Sequence, residues 1–575
     1  MDNLAIARIL GEIGDLLEIK GENPFKIRAY RTAADTVANC PERVATLDAA
    51  QLLGLPGIGK DLASKILELA DHGAITFHQE LLAEFPVTLL DMMRLQGVGP
   101  KTVALLHRTL NISTVEGLEA AAREGRLRGL KGMGAKKEAL ILKALDERQR
   151  HLGRHLLAET HDVATALLAH LGAIAPATEF IPVGSLRRGT ETCGDLDVLA
   201  IGGEPALIEA FTKYRLAERI LGQGDTKGSI LLRGGYQADL RLVPRESRGA
   251  AMQYFTGSKS HNIALRDRAM ARGLKLNEYG LFNNASGAAV AGQTEASIYE
   301  ALGLAYIEPA LRENRGEIEA AAKGLLPNLV DLSDIKGELH CHTDATDGRD
   351  SIEAMAAAAR ESGLSYLAIT DHSRALAMAG GLDEQATLRH AARVRAIGAR
   401  LEGITLLAGI ECDIRPDGSL DLAEDCLAQL DVVIASVHSA FNQDEGQMTE
   451  RLLRAIESPV VDIIGHPTGR LLLRRDPYAV DMGRIVDAAA QHGVAMEINS
   501  QIDRLDLNDV HARLAKERGV SLVIDTDAHS AGGFAMRRWG VTVARRAWLR
   551  PEDVLNTRPV DQFLATLRRN TRAGH

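Results

Sequence analysis

Two sets of residues in this chain have the types and spacing to do chemistry. The first is acidic. Gly194-Asp195-Leu196-Asp197-Val198-Leu199-Ala200-Ile201 places two carboxylates one residue apart at the head of a short apolar run, and Ala238-Asp239-Leu240-Arg241-Leu242-Val243 carries a third. Residues two apart on a strand point the same way, so Asp195 and Asp197 share a face. A strand bearing Asp239 could pair beside them. Three carboxylates on one patch of sheet repel one another unless cations neutralise them. Oxygen-only ligation suits Mg²⁺, which also binds substrate phosphates, and two such ions can activate an attacking hydroxyl and hold a leaving pyrophosphate. A lone Asp-x-Asp is more often a solvated strand end. Here it follows Gly184-Ser185-Leu186-Arg187-Arg188-Gly189, whose glycines let backbone N–H groups approach a phosphate and whose arginines can clamp one.

The second set is rich in histidine. Strand-like runs end repeatedly in ligand-type residues: His340-Cys341-His342, His372, Glu411, His438, His466 and Asp527-Ala528-His529, with Asp347 in the loop after the first. One such histidine alone is more often a satisfied core residue. Six histidines and three acids at strand ends or the loops after them point to a metal cluster. The mixed nitrogen and oxygen set suits Zn²⁺ or Mn²⁺ better than Mg²⁺.

The elements that position these groups follow from periodicity. Asp197–Ile201 reads as a buried strand closed by Gly202-Gly203. From 337 onward, strand-like runs alternate with Ala-rich helical segments such as 352–362 and 384–400, the rhythm of a β/α barrel with its functional groups at strand C-termini. The stretch 312–336 is charged, contains Ala and Gly, and includes Pro327, which suits a linker. Residues 1–150 read as short amphipathic helices, the first carrying Leu4, Ile6, Ile9, Leu10, Ile13, Leu16 and Leu17. A short pattern repeats there: Leu55-Pro56-Gly57-Ile58-Gly59-Lys60, then Leu95-Gln96-Gly97-Val98-Gly99-Pro100-Lys101, and a weaker copy, Leu130-Lys131-Gly132-Met133-Gly134-Ala135-Lys136. Each repeat is an apolar residue, Gly-x-Gly and a lysine, entering a helix. This resembles the helix-hairpin-helix motif, in which Gly57, Gly59, Lys60, Gly97, Gly99 and Lys101 would meet DNA phosphates without reading sequence.

Composition sets the outer bounds. At 575 residues the chain should hold several domains, and 46% hydrophobic with 25% charged residues is ordinary for globular protein. Five scattered cysteines without CxxC spacing argue against a disulfide framework and a zinc ribbon, which suits a reducing cytoplasm. No apolar run is long enough to span a bilayer and no signal-peptide pattern opens the chain, so no membrane association is expected. A net charge of −10 does not exclude a nucleic-acid partner, because carboxylates gathered around metals no longer repel DNA.

Taken with Tyr254-Phe255-Thr256-Gly257-Ser258 and His261-Asn262, these motifs stand in the order found in family X DNA polymerases, which residues 1 to about 315 resemble. The resemblance implies an N-terminal helical domain (1–80), a fingers-like helix-hairpin-helix domain (81–150), a nucleotidyltransferase palm (151–245) and a thumb (246–315). It implies that Asp195, Asp197 and Asp239 hold two Mg²⁺ ions, with Mn²⁺ as a substitute. Gly184, Ser185, Arg188, Gly194 and Arg154 would hold the triphosphate. Tyr254 and Phe255, before Gly257, would wall off a ribose 2′-hydroxyl, and a cis peptide would follow Gly257. Asn262 and Arg266 would contact the nascent pair and template, and Arg241 the primer side. Lys65 falls at the place of a lyase nucleophile in some relatives, with Lys26 and Tyr30 as supports. Asp61 stands where those relatives carry a phosphate-binding lysine, which leaves an exposed helix lysine as the competing reading of Lys65.

After a linker (316–336), residues 337–575 resemble the PHP (polymerase and histidinol phosphatase) domain, a distorted (β/α)7 barrel. That family implies His340, His342, Asp347, His372, Glu411, His438, His466, Asp527 and His529 as ligands to up to three Zn²⁺ or Mn²⁺ ions, with phosphoesterase activity. The whole reads as a monomeric, cytoplasmic, nucleoid-associated enzyme that takes dNTPs and gapped or primer-template DNA. It would fill short gaps and process 3′ ends by 3′-5′ exonuclease action, with AP endonuclease or 3′-phosphatase activity as further expectations. A DNA-binding scaffold with relic metal sites, a nucleotidyltransferase for RNA or small molecules, and a small-molecule phosphatase are the competing readings. The intact acids and complete ligand set speak against the first and Tyr254-Phe255 with the repeats against the second, while hydrolysis of a primer terminus compared with histidinol phosphate discriminates the third.

Overall fold

The computed structural model describes residues 3–38, 44–86, 88–93, 95, 98–130, 132–151, 153–376 and 379–567. The side chain of Leu4, together with Gln96, Gly97 and Lys131 of the repeats, lies outside the described residues. The chain forms two compact units, 1–152 and 153–575.

The first unit is helical. The stripe read in its first helix, Asn3–Lys20, buries Ile6, Leu10, Ile13, Leu16 and Leu17 completely. One hydrophobic cluster runs from Ile6 to Leu145, so the boundary expected at residue 80 does not separate two cores. Helices this short cannot each bury an apolar face alone and must share one.

In the second unit, the palm is a five-stranded sheet ordered Glu179–Pro182, Asp195–Ile201, Gln237–Val243, Lys227–Leu232 and Ala217–Gln223. Its two central strands, Asp195–Ile201 and Gln237–Val243, run parallel, and their neighbours are antiparallel. Strand alternation sorts the faces. Leu196, Val198 and Ala200 pack on Ala164, Leu167 and Leu171 of the helix Leu157–Ile174. Leu199 and Ile201, on the face shared with Asp195 and Asp197, pack on Val183, Val243 and Ala251. The thumb adds helices Arg248–Thr256 and Lys259–Met270 and a three-stranded antiparallel sheet.

The segment read as a linker is folded. Residues Glu317–Lys323 form a helix whose Ile318 and Ala321 enter the thumb core, and Glu317 is fully buried against His261 at 2.7 Å. The apolar pair three residues apart gives the helix a face to bury, which its charged, Ala-rich composition hides.

The C-terminal domain is a sheet of seven parallel strands in sequence order, from Gly337–Glu338 to Leu522–Asp525. Between the last strand and the first, a bridge joins Cys341 and Ala528, so the barrel is nearly closed. Leu156, Leu157 and Cys193 of the palm belong to the same hydrophobic cluster as the barrel's helices and strands, which packs the two domains into one body.

Two candidate metal centres

In the palm, Asp197 and Asp239 are direct neighbours in register across the parallel pair, and Asp195 lies opposite Gln237. Asp195 is exposed, Asp197 half-buried and Asp239 buried. Burial pushes the Asp197 carboxyl up to about 6, with the Asp195 and Asp239 charges adding to it. Lys227 answers part of this repulsion: its Nζ stands 2.6 Å from Asp239 Oδ2, a partner that no motif announced. Gly184 has φ +65°, and a Cβ there would come within 2.8 Å of Asp197 Oδ2, so glycine lets the loop close over the acid.

The expected nucleotide contacts gather around this edge of the sheet. Ser185 Oγ is buried without a hydrogen-bond partner. Arg154 donates from Nε and Nη2 to Thr192 Oγ1 and carbonyl O, at 2.8 and 2.7 Å, and its Nη1 faces Gly194. Tyr254 and Phe255 form an edge-to-face pair at 5.1 Å, both half-buried rather than enclosed, and the Arg241 guanidinium stacks on Phe255 at 4.6 Å. The peptide Gly257–Ser258 is cis. Asn262 is held at both ends of its amide, accepting from Gln253 and donating to the Tyr254 carbonyl. Arg266 sits half-buried on the helix Lys259–Met270. Arg188 is engaged: Nε donates to Glu313 Oε1 at 2.9 Å and Nη1 to the Thr256 carbonyl. Gly189 does not open toward a phosphate as the motif suggested. It lies against the barrel domain's helix Arg537–Arg546, where a Cβ would meet Thr542 Cγ2 at 2.3 Å.

In the barrel, the nine expected ligands converge. Ligand atoms of His342, Asp347, His372 and His529 lie within 4.8 Å of one another, as do those of His340, His342 and Asp527, and those of His372, Glu411 and His438. His466 Nε2 joins through Glu411 Oε1 at 2.9 Å. His340 Nε2, both nitrogens of His342 and His466 Nδ1 are buried without a hydrogen-bond partner, while His372 Nδ1 stands 2.7 Å from Glu411 Oε2. Buried polar atoms in that state are costly, and a cluster of them around shared carboxylates fits divalent cations. Burial keeps His342 and His466 neutral, down to about 4 and 3. Burial also acts to lower His372, but Glu411 and Asp347 outweigh it and raise this ring to about 10. Binding a cation there would release a proton.

Partners outside the nine orient the rings. Glu497 Oε1 lies 2.7 Å from His340 Nδ1, Asp413 Oδ1 3.3 Å from His438 Nδ1, and Asn499 Nδ2 donates to Asp527 Oδ2 at 3.1 Å. Such partners fix tautomer and ring orientation. Glu497 is the middle residue of the strand Ala495–Asn499, and a carboxylate inside an otherwise apolar run was the available signal for it.

In the N-terminal unit, Gly59 and Gly99 cap the helices Lys60–His72 and Pro100–Leu110, leaving Lys60 and Lys101 exposed in their first turns. Gly57 has φ +73° and approaches Thr32 so closely that a Cβ would lie 2.6 Å from its methyl. Lys65 is paired with Asp61 and stands over Phe77 and Tyr30. Burial disfavours its charge, yet hydrogen bonding to Asp61 and the charge of Tyr30 hold its pKa above the ordinary lysine value. A Schiff-base nucleophile needs the neutral amine, and Lys65 stands here as the ion-pair partner of Asp61.

A sheet with paired acids in register, joined to a nearly closed barrel with a histidine-carboxylate cluster, defines a nucleotidyltransferase-like palm coupled to a metal-dependent phosphoesterase-type barrel. Sequence comparison agrees segment by segment. Residues 1–75 match the helix-hairpin-helix domain, 89–147 the SAM-like helix-hairpin-helix tandem, 251–313 the DNA polymerase beta thumb and 338–501 the PHP domain. The chain is 38% identical over 568 residues to the DNA polymerase/3′-5′ exonuclease PolX of Bacillus subtilis (strain 168), covering 98% of this chain and 99% of the relative. The chain therefore belongs to the bacterial family X DNA polymerases with a C-terminal PHP domain. A probable phosphatase of Shewanella sp. (strain MR-4) is 33% identical over 34% of this chain and 79% of its own length. One of Caldanaerobacter subterraneus subsp. tengcongensis is 31% identical over 41% of this chain and 94% of its own. Among the described residues, no helix is long and apolar enough to cross a membrane.

Proposed function

We propose that this protein is a DNA-directed DNA polymerase that fills short gaps during DNA repair, and that its barrel removes nucleotides from the 3′ end of the same strand. The observation that carries the first half is the register of Asp197 beside Asp239, with Gly184 closed over Asp197. The convergence of nine ligands on orphaned ring nitrogens carries the second.

Asp195, Asp197 and Asp239 are the residues to hold two Mg²⁺ ions, and the barrel set the residues to hold up to three Zn²⁺ or Mn²⁺ ions. When bound, such ions neutralise phosphate charge and activate water or a hydroxyl. The chain's own groups do the rest. Asp239 faces the primer 3′-hydroxyl and takes part in its activation. Ser185, Arg154, Arg188 and the Gly194 backbone orient the triphosphate. Tyr254 and Phe255 exclude the 2′-hydroxyl, with Arg241 stacked behind Phe255. Asn262, fixed at both ends, presents its edge to the nascent pair. Lys60 and Lys101, exposed at helix N-termini, meet backbone phosphates in a sequence-independent way. In the barrel, Glu497 and Asp413 hold His340 and His438 in their ligating orientation. We place the enzyme, as a monomer, in the cytoplasm with the nucleoid.

The test is one labelled primer on gapped DNA, followed with and without dNTPs in Mg²⁺ and in Mn²⁺. Lengthening with nucleotides and stepwise shortening without them is the expected result. Lengthening with no shortening in either metal would remove the second half of the proposal. The match to probable phosphatases favours a second use of the barrel, on 3′-phosphates, which a primer ending in 3′-phosphate reads directly.

A further inference from the structure

The guanidinium of Arg188 is tied into a chain of charges that crosses from palm to barrel domain. Glu313 Oε1 accepts from Arg188 Nε at 2.9 Å and from Arg546 Nη1 at 3.0 Å. The same Arg546 nitrogen donates to the Arg188 carbonyl at 3.0 Å. Arg546 Nη2 lies 2.9 Å from Asp509 Oδ2, which also pairs with Arg315 Nη1 at 3.0 Å. These groups are shielded from water: the Glu313 side chain is 16% exposed, Arg188 14% and Arg546 8%. Glu313 therefore feels both arginines with little screening. Gly189, one residue on, seats the loop on the helix that carries Arg546.

A triphosphate that draws on Arg188 Nε competes with Glu313, and one that draws on Nη1 competes with the Thr256 carbonyl. If Arg188 were the only cation on Glu313, turning it toward a nucleotide would leave a carboxylate unpaired in a shielded site, which is strongly unfavourable. Arg546 removes that obstacle, because it already donates to the same oxygen. We propose that Arg546 of the barrel domain is a positioning residue for DNA synthesis: it keeps Glu313 paired and so lets Arg188 leave Glu313 for the incoming triphosphate. The inference rests on the reading of Arg188 as a triphosphate ligand given above. On this account the barrel domain sets nucleotide affinity in the palm through one ion pair, independently of its own metal cluster.

The experiment measures KM and kcat for dNTP on gapped DNA, and primer degradation without dNTP, for the full chain and for R188A, R546A, R546K, E313Q and E313Q/R546A. R188A should raise KM. If it does not, Arg188 is not a triphosphate ligand, and both that reading and this inference fall. R546A should raise KM by about tenfold, one step on the logarithmic affinity scale, with kcat little changed and primer degradation equal to the parent. R546K, which keeps the charge, should recover part of the loss. E313Q should lower KM or leave it unchanged, since Arg188 is then held less firmly. The double variant should match E313Q. A raised KM for R188A with parental KM for R546A would overturn the coupling and leave the Arg188 reading standing. A double variant as weak as R546A would assign the effect to lost domain docking instead. Should R546A fail to fold, E313Q alone decides: a raised KM for it contradicts the proposal.

Discussion

The two metal centres differ in how complete they are before any ion or substrate arrives. In the barrel, ligand-type atoms already gather in three overlapping groups, each within 4.8 Å, and six of the nine side chains are buried, with His438 and His529 half-buried and Asp347 exposed. In the palm, Asp195 is exposed, Asp239 leans on Lys227, and Asp197 carries a carboxyl pushed up to about 6 by burial and its acidic neighbours. A closed set of rings and carboxylates binds ions for itself, whereas an open set of carboxylates binds Mg²⁺ together with substrate phosphates. The difference is one of enclosure: the fold surrounds most of the barrel set, while the palm acids stand at an open edge of the sheet.

The largest effect that could break this comparison is expected from D527A and H340A. Each removes a side chain proposed to hold the barrel ions, so primer degradation should be lost while extension on gapped DNA persists. Retained degradation in a chromatographically pure H340A preparation would assign the nuclease elsewhere. A smaller effect tests the orienting partners. E497Q keeps size and removes the charge facing His340 Nδ1, and should cut barrel metal affinity or degradation rate by about 10–100-fold, as such outer partners do. A metal titration of the variant checks it.

On the palm side, smaller side chains at Tyr254 or Phe255 should lower discrimination against ribonucleotides by about tenfold, within the range a single pocket contact supplies. Ratios of kcat/KM for dNTP and rNTP measure this. A last effect, on stability rather than on rate, sharpens the comparison. Glu295 is nearly buried between Arg187 and Arg312, with carboxylate oxygens 2.6 Å from each. Burial raises its pKa, but these cations outweigh that and bring the carboxyl down to about 2. A depressed carboxylate stabilises the fold above its unfolded value and loses that contribution as pH falls toward the folded one. The parent should therefore lose thumb stability on acidification from about pH 4.5 to 2. E295Q should be less stable at neutral pH, by about 3–5 kcal/mol for a broken buried pair, and lack that acid transition. Urea unfolding at several pH values reads both.

Much of this was legible in the sequence, for identifiable reasons. Strand period puts Asp195 and Asp197 on one face whatever the rest of the fold does, and the apolar run around Asp239 predicts its neighbouring strand. Ligand-type residues at strand ends announce the barrel cluster through their number. What escaped depends on contacts between distant segments that no local pattern marks. Glu313 and Arg546 are 233 residues apart and lie in no motif. Lys227 meets Asp239 only because its strand folds back antiparallel beside it. Gly189 read as a phosphate approach because Gly-rich turns serve that use, yet its missing side chain makes room for Thr542. The helix Glu317–Lys323 read as a linker because composition outweighed the spacing of Ile318 and Ala321.

The most direct measurement is a time course of one labelled primer on gapped DNA with D239A, run beside the parent with and without dNTPs. Asp239 lies in the palm and none of the barrel ligands touches it in the described structure. The account predicts no extension by D239A and primer shortening at the parental rate. Extension at the parental rate, or loss of both activities in a folded variant, would contradict two separate centres on one chain.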